Sequence, residues 1–207
     1  MDYSERITAE AAVLFMKYGI RAVTMDSIAH HLGMSKRTIY EHFSDKDALL
    51  MSVITTMAGK QKRTFRRIMK ESGNVIEAFF EILRIASTHF NQTNPTYLMD
   101  LKRYHYNVYE KMCEKGNIRN YEMSLDMLRR GVEEKIFRDD INIEIVNIGI
   151  HSVIDISRDN EELAAGEYSS IEVIDNLLFN FLIGISTPMG QELIYKYKEQ
   201  KLSLIHI

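Results

Sequence analysis

From Thr24 to Leu49 the chain reads TMDSIAHHLGMSKRTIYEHFSDKDAL, and hydroxyl, cationic and imidazole side chains recur there at helical spacing. Thr24 reads as the N-cap of a short helix ending at Leu32, with Asp26 in its first turn. Gly33, Met34 and Ser35 form a tight connection in which glycine suits a positive φ, and Ser35 caps a second short helix from Lys36 to about Phe43. If Ile28, Ala29 and Leu32 pack against Met34, Ile39 and Phe43, the opposite side of the second helix carries Lys36, Arg37, Thr38, Tyr40, Glu41 and His42. Such a face suits a DNA major groove, which is about 12 Å wide and admits one helix. Lys36 and Arg37 would donate to guanine O6 and N7, and Thr38 would meet a base edge or a thymine methyl. Tyr40 and His42 would reach the backbone. Thr24 and Lys46, at helix N-termini, would grip phosphates, and Ser35 would add a contact beside its capping role. The competing reading is a scaffold helix pair with solvated cations.

The elements around this segment follow from periodicity. A preceding helix from Tyr3 to Tyr18 places Ile7, Ala11, Leu14, Phe15 and Tyr18 on one stripe and stops at Gly19. The whole stretch resembles the N-terminal DNA-binding domain of the TetR family of regulators. It has TM-x-x-IA-x-x-LG-x-S-x-x-TIY-x-HF-x-x-K-x-x-L, preceded by A-x-x-LF-x-x-x-G as AAVLFMKYG. The resemblance covers roughly the first 50 residues; the remainder is similar only in helix number and length. It implies phosphate contacts at Thr24, Tyr40, His42 and Lys46, and base readers at Lys36, Arg37 and Thr38. Many members have Gly or Ala where Arg37 stands, so Arg37 is either a specificity determinant or a phosphate contact.

Composition bounds the rest. The 207 residues include two prolines, ten scattered glycines and one cysteine, Cys113, so no internal disulfide framework is possible. Residues rich in helix formers and poor in turn clusters indicate an all-α protein of nine to ten helices. The expected organisation is a three-helix DNA-binding domain over residues 1–47 and a larger helical ligand-binding and dimerisation domain over 48–207. Residues 1–70 hold 12 Lys/Arg and 7 Asp/Glu, a net of +5, whereas residues 71–207 hold 14 and 22, a net of −8. A polyanion partner at one end accounts for this split, as does a solvated face over Lys60–Lys70. The N-terminus lacks the pattern of a signal peptide, and VIDNLLFNFLIGI is too short for a membrane span. A cytoplasmic protein with no membrane partner is expected.

Ser44 with Asp47 reads as the cap of a long helix to about Lys70, and Asn74 with Glu77 as the cap of one to Phe90. Asn94-Pro95 opens a tyrosine-rich helix that runs to Gly116-Asn117, and the next ends near Phe137. Ile141–Ile150 alternates like a strand yet also marks helical stripes; a lone strand would have no partner, so a helix is expected. Ser169 with Glu172, then Thr187-Pro188, open the last two helices.

A single short reading helix binds weakly, so a homodimer on a palindrome is expected. Two helices, 142–157 and 170–185, are apolar on more than one side, which nominates Ile150, Ile154, Ile174, Leu178, Phe181 and Leu182 for the dimer interface; an intramolecular core is the alternative. The resemblance implies pairing of such helices into a four-helix bundle. For a small apolar or aromatic ligand, Phe80, Tyr97, Tyr104, His105, Tyr109, Met112 and Met127 supply rings and thioethers, though such stripes are also ordinary core. His105 and Cys113 lie two helical turns apart, too far for a compact metal pair, so neither metal nor cofactor is expected. No nucleophile–base pattern or phosphate-cradling glycine loop occurs. The expected function is a ligand-responsive repressor that occludes a promoter as a homodimer on double-stranded operator DNA. A ligand would shift the long helix after Ser44 and so the spacing of the reading helices. Alternatives are a nucleoid or division-site DNA-binding factor without inducer, and a helical enzyme or small-molecule carrier.

Overall fold

In a computed structural model of the chain, residues 2–117, 120–159, 168 and 170–205 are described, without the side chains of residues 90, 91, 157–159, 170, 171, 174, 175 and 200–205. The described residues form eleven α-helices and one isolated bridge. Packing divides the chain into two compact units, residues 1–63 with 88–119 and residues 64–87 with 120–207. None of the helices is long and apolar enough to cross a membrane among the described residues.

The first unit opens with α1 (Tyr3–Tyr18), α2 (Met25–Leu32) and α3 (Lys36–His42). Asp2 and Glu5 close a capping box on α1. Thr24 Oγ1 accepts the Ser27 amide to start α2. Gly33 ends α2 in the left-handed region, φ 63° and ψ 29°, and Met34 N then reaches Ala29 O at 2.9 Å. That geometry disfavours any residue with a Cβ. Ser35 Oγ accepts the Thr38 amide to start α3. Phe15, Ile28, Ile39 and Leu49 are fully buried together, as the alternation of apolar positions requires.

The front of α4 (Lys46–Glu71) belongs to the same unit. Its cap is Asp45 rather than Ser44: Asp45 Oδ1 accepts from Ala48 N at 2.8 Å, and Ser44 Oγ donates to Asp45 Oδ2. A carboxylate is the stronger acceptor at the positive end of a helix, so it displaces the neighbouring hydroxyl. The Ala48 amide and the Ser44 hydroxyl hold the Asp45 carboxyl below its ordinary range. α5 (Val75–Gln92) starts at Asn74, whose Oδ1 accepts from Glu77 N. The Glu77 carboxylate turns to the Gly73 amide instead of closing a box on Asn74.

The expected single tyrosine-rich helix is two, α6 (Tyr97–Tyr104) and α7 (Tyr106–Glu114). His105 separates them with φ −134° and ψ 43°, and its Nδ1 lies 2.5 Å from Asp47 Oδ1 in the first turn of α4. A tertiary partner therefore sets the break, with no glycine or proline to announce it. Leu101, Val108 and Met112 join the core of α1–α4.

The second unit holds α8 (Tyr121–Glu133), α9 (Ile143–Asp159), α10 (Ser170–Ile185) and α11 (Pro188–Ile205), with the rear of α4 and most of α5. α8 stops four residues before the expected Phe137, which folds back onto it: a Cβ on Gly131 would lie 2.1 Å from that ring. Lys135 takes φ 58° in this reversal, and Phe137 then bridges Ser186. The ambiguous segment is helical, with Asn142 Oδ1 accepting from Ile145 N. Thr187 Oγ1 accepts from Gly190 N to start α11. The expected cap Ser169 and the end of the LSLIHI segment, residues 206 and 207, lie outside the described residues. Arg130 donates to Met69 O and Ser72 O at the end of α4, satisfying carbonyls that a helix terminus leaves free.

Candidate nucleic-acid interface

α3 is a seven-residue helix whose apolar side is fixed by Ile39, fully buried, leaving its remaining residues to solvent or partial cover. Lys36 extends its ammonium to Asp26 at 2.8 Å, and that carboxylate holds the lysine above its ordinary pKa. The same ammonium lies 5.9 Å from the Tyr40 ring. Arg37 pairs through Nε with Glu41 Oε1 at 2.9 Å, and its side chain is 89% exposed. Both ion pairs are solvent-facing and screened, so neither locks its cation away from a stronger anion.

Ser35, Tyr40 and His42 are exposed, and Thr38 is half-buried with its hydroxyl 2.9 Å from Ser35 Oγ. Thr24 is exposed at the start of α2. Seven of the eight residues nominated from sequence thus lie on α3 or on the caps that orient α2 and α3.

Lys46 differs. It is half-buried, donates to Ile20 O at 2.6 Å and lies 5.8 Å from the Phe15 ring. Burial pushes its ammonium below the ordinary lysine pKa, while Asp100 and Asp47 oppose that shift. In this structure its charge faces the loop after α1. Asp26 and Glu41, the counter-ions of the two base-reader candidates, were not foreseen. Glu41 was legible as the i+4 partner of Arg37, whereas Asp26 meets Lys36 only through the fold.

The family model described as "Bacterial regulatory proteins, tetR family" matches residues 7–53, which spans α1 to the front of α4. Residues 7–53 therefore form a domain of the tetR family of bacterial regulatory proteins. Over 106 residues it is 35% identical to an uncharacterized HTH-type transcriptional regulator, YvaF, of Bacillus subtilis, covering 51% of this chain and 55% of that one. It thus spans about half the length of that relative. Over 145 residues it is 26% identical to the HTH-type transcriptional repressor KstR2 of Mycobacterium tuberculosis, covering 66% and 70% of the two chains. Among solved structures, Thermus thermophilus FadR, a TetR-family repressor in complex with lauroyl-CoA, superposes with a TM-score of 0.62 at 17% identity, over 89% of this chain and 95% of that one. Such TetR-family neighbours share the all-α fold of an N-terminal helix-turn-helix followed by a larger helical part.

The ligand candidates divide between the compact units. Tyr97, Tyr104, His105, Tyr109 and Met112 lie in the first, and Phe80 and Met127 in the second. Met112 and Met127 are buried core. Phe80 is half-buried and stacks on Tyr197. Tyr104 is exposed, its ring 5.2 Å from the Arg21 guanidinium. Tyr97 carries a buried hydroxyl that has no hydrogen-bond partner among the described residues, and burial pushes its pKa up to about 12.

Of the dimer candidates, Ile150, Leu178 and Leu182 are buried in the core of the second unit. The single chain already uses these three. Ile154 and Phe181 are half-buried, and the side chain of Ile174 lies outside the described residues. Among the described residues, the outward apolar side chains of the same helices include Ile145, Ile148 and Ile156 of α9 and Leu177 of α10. A helix that is apolar all round has two such sets, and sequence does not say which one the chain itself covers.

A Ser–His contact also emerges that spacing did not announce. Ser124 Oγ donates to Asn147 Oδ1 at 2.5 Å and lies 2.9 Å from His151 Nε2. With its proton committed to Asn147, the hydroxyl is left to accept from the imidazole, which is the reverse of base activation. Among the described residues, no three His, Cys, Asp or Glu side chains group as a metal site requires.

Proposed function

We propose that this chain is a transcriptional regulator that grips palindromic operator DNA as a homodimer through residues 1–47, and that a small molecule releases it. The observation that carries this reading is α3 itself, which presents Lys36, Arg37 and Tyr40 to solvent behind a fully buried Ile39. Lys36 and Arg37 read bases, while Thr24, Ser35, Tyr40 and His42 hold phosphates and Thr38 meets a base edge. Repression is the action favoured by the similarity to the repressor KstR2, and occlusion of a promoter is the simplest way for a bound dimer to exert it.

The exposed row Ile145, Ile148 and Ile156 supports dimerisation, because three isoleucines at helical spacing are costly to leave in water. A dimer would set its two reading helices about 34–36 Å apart, one turn of duplex. The unpartnered Tyr97 hydroxyl supports an effector with an apolar body and one hydrogen-bond acceptor, since a buried O–H is costly until something accepts it.

The test is selection of bound sequences from random double-stranded DNA by the full chain, followed by anisotropy titrations at several salt concentrations. A palindromic consensus is expected, with affinity falling steeply as salt rises. Lys36→Ala and Arg37→Ala should each relax the base preference. Absence of any retardation at low salt would reject the reading, and an unchanged preference in both variants would reject the base-reader assignment.

A further inference from the structure

The operator-contacting surface implied by α3 does not stop at that helix. The Tyr3 ring, at the first position of α1, lies 5.9 Å from the His42 ring at the last position of α3, tilted by 32°. Tyr3 is 57% exposed, and its hydroxyl has no partner among the described residues. Arg6, one helical turn further on and therefore beside Tyr3 on the surface of α1, is also exposed, and its guanidinium has no partner among the described residues. Neither residue belongs to the segment that suggested a groove reader.

We infer that Tyr3 and Arg6 form a second phosphate grip, which extends the contact from the C-terminal end of α3 onto α1; the inference rests on the DNA-binding reading above. The physical case begins with what α1 cannot offer. Most of its leading amides are already taken: Tyr3 N donates to Asp2 Oδ1 at 2.6 Å, Asp2 N to Glu5 Oε2, Glu5 N to the Asp2 side chain and Arg6 N to Asp2 O. A bare helix terminus is thus not the site, and the nearby carboxylates disfavour loose attraction of an anion. What remains is one directional O–H donor and one guanidinium.

A reading helix in the major groove directs its N-terminal residues to base edges and brings its remaining flank toward the sugar–phosphate strand. His42 lies on that flank, so a ring held against it is carried to the same strand. The tyrosine supplies a donor of fixed reach, and the arginine matches phosphate with a planar fork. Neither contact reads sequence, so both set affinity and register without changing base preference.

The experiment uses the full chain and the duplex recovered by the selection above, with affinity read by anisotropy. Tyr3→Phe keeps the ring on His42 and removes only the hydroxyl; it should weaken binding about tenfold or more, as loss of one hydrogen bond to a charged group does. Arg6→Ala should weaken binding on every sequence and lower the log–log salt slope by about 0.9 for each phosphate released. Consensus bases should stay the same in both. Replacing single phosphates of the half-site by neutral methylphosphonates should reveal one position at which wild type loses affinity and Tyr3→Phe loses no more.

If Tyr3→Phe matches wild type on every duplex while Tyr3→Ala weakens binding, the ring only steadies His42, and the inference is overturned. An unchanged salt slope in Arg6→Ala overturns its half of the grip. If wild type itself binds no duplex, the DNA-binding reading has failed first, an outcome distinct from either. Thermal melts of each variant separate lost contact from lost fold.

Discussion

The Lys46 ammonium donates to the Ile20 carbonyl at 2.6 Å, fastening the first residue of α4 to the loop that precedes α2. Asp100 of α6 holds the same loop from its other side by accepting from Arg21 N at 2.9 Å. Asn94 accompanies it, donating its amide to Met16 O at the end of α1. The α1–α2 turn is therefore fixed by side chains and backbone from two later elements. Lys46, expected from sequence to hold phosphate, is committed to the fold in this structure.

Lys46→Ala should lower conformational stability by about 1–2 kcal/mol, the usual range for losing a hydrogen bond from a charged donor and stranding its acceptor. Urea denaturation of the DNA-free protein measures this. A midpoint equal to wild type would show that the bond carries no stability.

Tyr97→Phe should stabilise the ligand-free protein by about 1 kcal/mol, because it removes a buried hydroxyl without a partner. The alkaline behaviour should change as well. The tyrosine ionises near 10 when unfolded and at about 12 when folded. Relative to Tyr97→Phe, wild type thus keeps its full stability below pH 10 and loses it as pH rises from 10 to 12. Burial has the opposite effect at Lys46, whose folded form sheds its proton early and gains stability with rising pH below 10.5. Comparing the two proteins across that window cancels the lysine. Parallel curves would refute the assignment to Tyr97.

Two glycines inside helices should respond in opposite directions. A Cβ on Gly59 of α4 would meet only the Arg63 guanidinium at 3.6 Å, so Gly59→Ala should stabilise by about 0.5–1 kcal/mol. A Cβ on Gly190 of α11 would fall 2.2 Å from the Ile136 carbonyl oxygen, which is backbone and cannot step aside. Gly190→Ala should therefore destabilise by more than the Gly59 change gains. Thermal melts that ranked the pair the other way would contradict this packing.

Ile148→Asp tests the proposed homodimer without touching the core, since Ile148 is 59% exposed. Sedimentation should show a monomer with nearly the parental helix content. Leu182→Asp, at a site 2% exposed, should unfold the second unit instead, as an unpaired buried charge does. Retention of the dimer in Ile148→Asp would remove this face of α9 from the interface.

The head of the molecule was legible because its instructions are local. Thr24, Gly33 and Ser35 are each recognised by the helix end they create, and Ile28, Leu32, Ile39 and Phe43 declare a common inner side through spacing alone. The break at His105 was not legible, because it depends on Asp47 across 58 residues of chain. Nor was the division of α9 and α10 into core and exposed sets, which follows from the elements that cover Ile150 and Leu182 but not Ile148.

By itself, then, the order of residues determined the helical class, the helix-turn-helix and the side chains that α3 turns outward, since these depend on contacts a few residues apart. Only the tertiary structure decided which cation stays on an exposed pair and which is drawn into the fold. Lys36 and Lys46 are the same residue type beside similar helix starts, yet one ends on an exposed Asp26 and the other on the buried side of Ile20. The physical reason is that a long side chain takes the best acceptor within reach, and what lies within reach is set by how distant segments pack.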